Sequence, residues 1–110
     1  MPIYKIFRAP EWEAMQATGS TPGAPIDLQD GYVHLSTAKQ VEETAARHFA
    51  GEQGLVLLAV DDVRMAPDIR WEPSRGGALF PHLYRDLRME DVLWSAPLPW
   101  EGTRHRFPPL

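Results

Sequence analysis

The alternation of apolar and polar residues along the chain predicts about six short β-strands. The longest apolar run, "LVLLAV" at Leu55–Val60, has no polar position, which is typical of a strand that is buried on both faces. We therefore expect this run to be the most buried strand of the sheet. The other predicted strands are residues 3–8, 32–36, 69–72, 79–84 and 92–96.

A short helix is predicted directly after the first strand, at "PEWEAMQATG" (10–19). A proline suits the first position of a helix, and Gly19 is a common residue just after the last turn. Helical periodicity places Trp12 and Met15 on the face that packs inward. The segment that follows, 19–31, is dense in glycine and proline, so we interpret it as a loop.

The second main helix is predicted at residues 38–50. Thr37 is a suitable N-cap, and Gln40 three residues later would complete a capping box. The residues at helical spacing that face inward are Val41, Ala45, His48 and Phe49. Because His48 belongs to this apolar stripe, we interpret it as a structural residue.

The order of these elements predicts the α+β class, with a small mixed or antiparallel sheet and two main helices. A single helical turn is expected in "RMEDV" (88–92). A length of 110 residues is typical of a single domain, here residues 1–110, and residues 98–110 read as a proline-rich C-terminal tail. We interpret His105, within this tail, as a solvated residue.

Composition narrows the classes of function. The chain is 44% hydrophobic and 24% charged, which is typical of a soluble globular protein. Its net charge of −4 argues against a general polyanion-binding protein, but leaves room for a local basic pocket that holds one nucleotide or phosphate. The absence of cysteine excludes disulfides and a cysteine nucleophile, and fits a cytoplasmic location. No segment has the character of a signal peptide or membrane span, so we expect no membrane association.

The stretch "DGYVHLST" places a histidine in the middle of a predicted strand. Side chains alternate along a strand, so Val33 and Leu35 share one face and belong against a core. Tyr32, His34 and Ser36 share the other face. This second face is a row of hydrogen-bonding groups, which makes it a candidate binding surface.

The stretch "ALFPHLYRDL" repeats that pattern, because Phe80, His82 and Tyr84 fall on one face of another predicted strand. Two rows of aromatic, histidine and hydroxyl groups would form a pocket if their faces converge. Such a pocket suits a planar, polar ligand such as a nucleotide base or nicotinamide. We therefore predict that His34 and His82 are the catalytic residues and that both rings, partly exposed, face one cleft.

The segment "RWEPSRGG" between the two rows supplies further candidates. Glu72 is suited to act as a general base or to accept a hydrogen bond from a ribose hydroxyl, and a salt bridge to Arg70 or Arg75 is the equally open alternative. The sequence contains no glycine-rich phosphate loop. Its histidines lack the spacing of zinc ligands, so we expect no metal ion.

Five segments together resemble domain-of-unknown-function family 952. They are "IYKIFRAPEW", "DGYVHLSTAKQV", "LVLLAVD", "RWEPSRGGALFPHLY" and the closing strand that begins with Val92. The resemblance implies a fold similar to the ADP-ribosyltransferase-like fold, in which a split β-sheet clamps NAD in a central cleft. Within that superfamily the chain looks most like the branch with two histidines, which includes the RNA 2′-phosphotransferases.

The resemblance also implies roles for single residues. His34, with Ser36 two positions on, matches the His-x-Ser/Thr motif on the strand that contacts the nicotinamide-ribose side of NAD, and His82 matches the second histidine. Arg8 is a weaker match to a basic residue near the phosphates. The late glutamate that is usual in the superfamily has no clear counterpart, since Glu72 precedes the second histidine and Glu90 lies in a polar turn. This departure argues against ordinary protein ADP-ribosylation.

Three functions are compatible with these features. The first is a transferase that uses NAD or a related nucleotide, with Tyr32, Phe80 or Tyr84 stacked on nicotinamide and Arg8 or Arg75 on a phosphate; its acceptor, a nucleic acid or a protein, is open. The second is a two-histidine phosphoesterase that acts on a cyclic nucleotide phosphate. Tyr84 argues against a phosphoesterase, because its position, two residues after His82, should hold a second Ser or Thr that binds the phosphate. The third is a non-catalytic module that binds a nucleotide or a protein.

Overall fold

The computed structural model of the protein describes residues 1–110, apart from the side chain of Arg75. The strands are β1 (Ile3–Arg8), β2 (Ser20–Thr21), β3 (Val33–His34), β4 (Leu55–Val60), β5 (Ile69–Pro73), β6 (Leu79–Leu83), β7 (Leu87–Arg88) and β8 (Val92–Leu98). The α-helices are α1 (Ala9–Thr18), α2 (Pro25–Asp30), α3 (Val41–His48) and α4 (Asp62–Met65). Short 3₁₀ turns span Ala66–Asp68, Arg75–Gly77 and Met89–Asp91.

The strands form two three-stranded sheets, with strand orders β1-β4-β8 and β3-β6-β5, and a two-stranded ribbon of β2 and β7. All of these pairings are antiparallel. Tyr4 and Ser36 form an antiparallel bridge that joins the edge of β1 to the chain just after β3. The predicted α+β class is confirmed, with antiparallel rather than mixed sheets.

Strand β4 is the centre of the first sheet, hydrogen-bonded to β1 on one side and β8 on the other. Its two faces enter different hydrophobic clusters. Leu58 and Val60 pack in one cluster, while Leu55, Leu57 and Ala59 pack in the other. The prediction that this run is the most buried strand is confirmed, and burial on both faces explains why it contains no polar residue.

The predicted loop at 19–31 is wrong, because this segment contains β2 and the six-residue helix α2. Pro25 occupies the first turn of α2, where its missing N–H costs nothing. The carboxylate of Asp27 accepts a hydrogen bond from the backbone N–H of Ala24, which caps the helix. Gly31 ends it with a φ of 86°, a conformation that favours glycine. Six residues are too few to show a clear helical periodicity. The loop prediction therefore rested on the glycine and proline content of the segment alone.

Helix α3 is shorter than predicted, since it begins at Val41 and ends at His48. The Gln40 side chain accepts a hydrogen bond from the backbone N–H of Thr37, as a capping box requires. The prediction of Thr37 as the N-cap is wrong, however, because Gln40 is the N-cap and residues 38–40 form turns. The predicted strand at 32–36 is likewise reduced to the two residues of β3. The longest helix, α1, has 10 residues, and none of the described helices is both long and apolar enough to cross a membrane.

The structure reverses the interpretation of two histidines. His48 is exposed at the end of α3, because the buried stripe of that helix contains only Val41 and Ala45. His105 is only 5% exposed, and its ring Nε2 donates a hydrogen bond to the carbonyl oxygen of Glu52. The tail around His105 is therefore packed against the fold rather than solvated.

Candidate functional site

His34 and His82 lie directly opposite each other on the antiparallel strands β3 and β6. Opposite residues of neighbouring strands point to the same face, so both imidazoles are on one side of the sheet, as the alternation predicts. Their ring centroids are 5.5 Å apart and the ring planes are inclined at 66°. The flanking pair, Val33 and Leu83, points to the opposite face and is buried in the core.

Tyr32 packs against both imidazoles. Its ring is stacked on His82 with a centroid distance of 4.1 Å and an angle of 24°, and it is tilted against His34 at 4.6 Å. Tyr84 approaches the same tyrosine at 5.2 Å. The expectation that both histidines are partly exposed holds for His34 only, because Tyr32 covers the ring of His82, which is buried.

The imidazole of His34 lies between two carboxylates of α2. Its Nδ1 is 2.6 Å from Oδ1 of Asp27, and the same oxygen accepts a hydrogen bond from the backbone N–H of His34 at 2.9 Å. On the outer side of the ring, Nε2 is 2.9 Å from Oδ2 of Asp30. Asp27 is fully buried and Asp30 is partly exposed, so Nδ1 is the inward nitrogen and Nε2 the outward one.

Lys5 of β1 completes this network, although its own side chain is only 5% exposed. Its ammonium group donates hydrogen bonds to Oδ2 of Asp27 at 2.7 Å and to the carbonyl oxygen of His34 at 3.1 Å. Burial by itself would raise the pKa of Asp27, but the hydrogen bond from His34 and the charge of Lys5 outweigh it and lower this pKa. Burial lowers the pKa of Lys5, and the Asp27 carboxylate opposes that effect.

Glu72 plays the corresponding part for His82. Its Oε1 lies 2.8 Å from Nδ1 of His82 and accepts a hydrogen bond from the Tyr84 hydroxyl at 2.6 Å. The hydrogen bonds from Tyr84 and His82 lower the pKa of Glu72, and the same contact with Glu72 raises the pKa of Tyr84. Arg70, one of the two predicted salt-bridge partners, places its guanidinium 4.7 Å from the Tyr84 ring centroid. Each of the two histidines thus has its Nδ1 on a carboxylate.

The histidines border a cavity of about 560 Å³ between β1, the β3–β6 pair and helices α2 and α3. The predicted residues on its wall are Arg8, His34, Ser36, Phe80 and His82. Tyr32 and Glu72 contact the histidine rings instead of forming this wall, and Tyr84 contacts Tyr32 and Glu72. Polar side chains on the wall that the sequence analysis did not propose as site residues include Lys5, Asp30, Thr44 and His48. The predicted Arg75 lies outside the described side chains.

Arg8 lies on the wall of the cavity, and the described neighbours of its guanidinium include Glu11 at 3.9 Å. Its guanidinium makes a two-pronged ion pair with Glu52, with N–O distances of 2.8 and 3.0 Å, and lies 5.0 Å from the ring centroid of Phe49. Ser36 is buried, with its hydroxyl 2.9 Å from that of Thr44 on α3. The wall of the cavity therefore carries the guanidinium of Arg8 as well as the two histidines and the charged groups of Lys5 and Asp30.

Residues 6–95 match the sequence profile of the family described as "Protein of unknown function (DUF952)". The chain belongs to the DUF952 family. It is similar to protein CC0527 from Caulobacter crescentus: the X-ray crystal structure is 45% identical over 96% of this chain and 94% of that chain, with a TM-score of 0.92. The solution NMR structure of CC0527 is 46% identical over 94% of this chain and 90% of that chain, with a TM-score of 0.84. A comparison with curated proteins gave no match.

The resemblance to family 952 noted in the sequence is thereby confirmed. Lys5 lies just before the matched range, while both histidines, Asp27 and Glu72 lie within it. The family is one of unknown function, so an activity has to be argued from the site itself.

Proposed function

We propose that this DUF952 protein binds NAD or a related nucleotide in the cavity, with the ribose and nicotinamide end at His34 and His82. The observation that carries the proposal is the pair of imidazoles on one face, each held at Nδ1 by a carboxylate, at the wall of the cavity. Two oriented rings of this kind offer hydrogen bonds to ribose hydroxyls and to a carboxamide.

The size and lining of the cavity support a ligand with a flat ring. A volume of about 560 Å³ lies within the range of small-molecule sites. Tyr4, Phe49 and Phe80 contribute aromatic surface to its wall. Aromatic side chains stack on planar heterocycles, which include both the nicotinamide ring and the bases.

The distribution of charge supports one orientation of the nucleotide. Asp30 and Glu72 are hydrogen-bonded to the histidines and repel phosphate at that end. Arg8 and Tyr4 are both on β1 and are four residues apart, which corresponds to about 13 Å along an extended strand. Its ion pair with Glu52 is partly solvent-exposed and therefore weak, so Arg8 can exchange Glu52 for a phosphate at little cost.

The arrangement of the sheets supports the resemblance to the ADP-ribosyltransferase-like fold. Sheets β1-β4-β8 and β3-β6-β5 meet at the Tyr4–Ser36 bridge, and the cavity lies beside this junction. Glu72 brings a carboxylate to the histidine pair from β5, where it holds Nδ1 of the His82 ring. Glu90, the other candidate for the late glutamate, lies near Arg64 at a distance of 3.7 Å.

A transfer reaction in this cavity would break the bond between C1′ of the ribose and the nicotinamide nitrogen. Nicotinamide would leave with the electron pair of that bond, and the ribose would become positively charged at C1′. The carboxylates around the histidines stabilise a positive charge that develops there. An acceptor hydroxyl would then bond to C1′ and lose its proton to a nearby base.

A two-histidine phosphoesterase is the second candidate. One observation favours it: paired imidazoles with carboxylate-bound Nδ1 atoms are suited to act as general base and general acid. However, the phosphate would lie between Asp30 and Glu72, which repel it. The hydroxyl of Tyr84 is also hydrogen-bonded to Glu72 rather than available to a phosphate.

A ligand panel separates the two candidates. The shift of the melting temperature is measured with NAD, ADP-ribose, nicotinamide riboside and a 2′,3′-cyclic nucleotide, followed by calorimetric titration. A ligand that binds only the native state raises stability by an amount that grows with the logarithm of its concentration over its dissociation constant. We expect NAD and nicotinamide riboside to bind and the cyclic phosphate to be weaker. Binding of the cyclic phosphate alone would support the phosphoesterase and overturn the proposal. No shift with any compound would also overturn it.

A further inference from the structure

We propose that Lys5 is a positioning residue that acts through Asp27 to fix the protonation and orientation of the His34 imidazole. Lys5 and His34 are on different sheets, and the Asp27 carboxylate connects them with contacts of 2.7 Å and 2.6 Å. The importance of this arrangement for ligand binding rests on the function proposed above, whereas its effect on the ring of His34 does not.

A lysine at this position is unusual on grounds of stability. Lys5 shares a strand face with Ile3 and Phe7, both of which are buried in the core, and lysine is rarely buried unless paired. A buried ion pair is often no more stabilising than apolar residues of similar volume. Stability alone therefore does not account for an ammonium group here, and its contacts indicate what it does.

The two oxygens of the Asp27 carboxylate have different partners, with two of the four described contacts on each oxygen. Oδ2 accepts hydrogen bonds from Lys5 and from the backbone N–H of Ala24. Oδ1 is left for His34, both for its backbone N–H and for Nδ1 of its ring. Because Lys5 also donates to the carbonyl oxygen of His34, the lysine holds the main chain of the histidine together with the carboxylate that orients its ring.

The charged and titratable groups that face His34 come from every element packed around it. Asp27 and Asp30 come from α2, Lys5 from β1, and His82 with its partner Glu72 from the neighbouring strands. Lys5 keeps Asp27 ionised in this setting. An ionised Asp27 requires a proton on Nδ1, so a neutral His34 has its lone pair on Nε2. That outward nitrogen can accept a hydrogen bond from a ribose hydroxyl when a ligand displaces Asp30.

The test compares Lys5→Met with Lys39→Met, a matched control at the exposed second lysine of the chain. Ring ¹⁵N shifts of His34 are followed by NMR as a function of pH, without ligand. Loss of the ammonium group frees Oδ2 of Asp27 and the carbonyl oxygen of His34. In Lys5→Met the two ring ¹⁵N shifts of neutral His34 should therefore move toward each other, because the proton on Nδ1 loses its preference over Nε2. The ring shifts should stay unchanged in Lys39→Met, and Lys5→Arg, which keeps the charge, should stay near wild type.

Unchanged ring shifts of His34 in a folded Lys5→Met protein would overturn the proposal. Should that variant fail to fold, the wild-type spectrum decides: in the neutral ring Nδ1 must carry the proton, and a proton on Nε2 would overturn the proposal. NAD affinity of Lys5→Met is measured separately and should fall at least several-fold. If the ring shifts move but the wild type binds no NAD, the positioning by Lys5 stands and the proposed ligand is wrong.

Discussion

His34 and His82 are directly opposite across β3 and β6, yet the side chain of His34 is 31% exposed and that of His82 only 4%. The difference comes from Tyr32, whose ring stacks on His82. Replacing the buried His82 should therefore affect the stability of the fold more than replacing the partly exposed His34. This difference allows binding and stability to be separated.

We expect His34→Ala and His82→Ala each to weaken NAD binding by about tenfold or more, because each removes a ring that holds the ribose end. His82→Ala should also lower the free energy of unfolding by about 2–3 kcal/mol, since it leaves a cavity under Tyr32. His34→Ala should cost about 1.5 kcal/mol, because the hydrogen bond that it removes is to the charged carboxylate of Asp27. Calorimetric titration and urea unfolding measure the two effects. Unchanged affinity in both variants would contradict the assignment.

Arg8→Met tests the orientation of the ligand. If Arg8 contacts phosphate, the variant should lose affinity for NAD by about tenfold while binding of nicotinamide riboside, which has no phosphate, is unchanged. Stability should change by less than about 1 kcal/mol, because the Arg8–Glu52 pair is partly exposed. Arg47→Met, which removes another exposed ion-paired arginine, is the control. An equal loss for both ligands would place the phosphates elsewhere.

The lowered pKa of Asp27 predicts part of the acid sensitivity of the fold. Burial raises this pKa, but the contacts with His34 and Lys5 lower it below the unfolded value of about 4. Stability from the ionised carboxylate is therefore complete above about pH 4 and is lost as the pH falls through the lower, folded-state pKa.

Asp27→Asn should accordingly be about 3 kcal/mol less stable at pH 7, because Lys5 is left buried without its partner. Its stability should also fall less steeply than that of the wild type below pH 4. Unfolding by urea at a series of pH values measures both effects, and Asp86→Asn, at an exposed aspartate, should follow the wild type. If the free energy of unfolding falls equally steeply with pH in the wild type and in Asp27→Asn, the Asp27 carboxylate is not the group that causes the loss of stability in acid.

Local sequence pattern was enough to predict the strand bounds of β1 and β4, the latter from its unbroken apolar run, and period-two alternation was enough to predict the shared face of His34 and His82. Each of these features depends on residues that are neighbours in sequence or in one antiparallel pair. The predicted helix next to β1 also agrees with α1, within one residue at each end, and Gly19 follows its last residue. Most of the strands and helices that position the site can therefore be predicted from local sequence pattern.

The contacts of Lys5 and Asp27 with His34 could not be predicted from local pattern. Lys5 and Asp27 are 22 residues apart in sequence, and their contact depends on how α2 packs against β1. The one available signal was a lysine between apolar neighbours in "IYKIF". The burial of His82 depends similarly on the rotamer of Tyr32, a property of tertiary packing that strand alternation does not contain.

No metal ion is expected to take part in binding. Within the described side chains, no group of three or more histidine, aspartate or glutamate residues is arranged to hold one. EDTA should leave both the melting temperature and NAD affinity unchanged. A lower melting temperature that zinc restores would reveal a metal site, since ions that bind only the native state stabilise it.

The last prediction contrasts the two histidines whose interpretation the structure reversed. His105→Ala should lower the free energy of unfolding by about 2 kcal/mol, because it removes the hydrogen bond to Glu52 and the edge-on contact with Trp100 at 4.9 Å. His48→Ala should change stability by less than about 0.5 kcal/mol, since its side chain is exposed. His48 lines the cavity, however, so the same variant should alter NAD affinity, whereas His105→Ala should leave it unchanged at temperatures where the protein is folded. Urea unfolding with calorimetric titration checks both variants, and a destabilised His48→Ala protein with normal affinity would return His48 to a structural role.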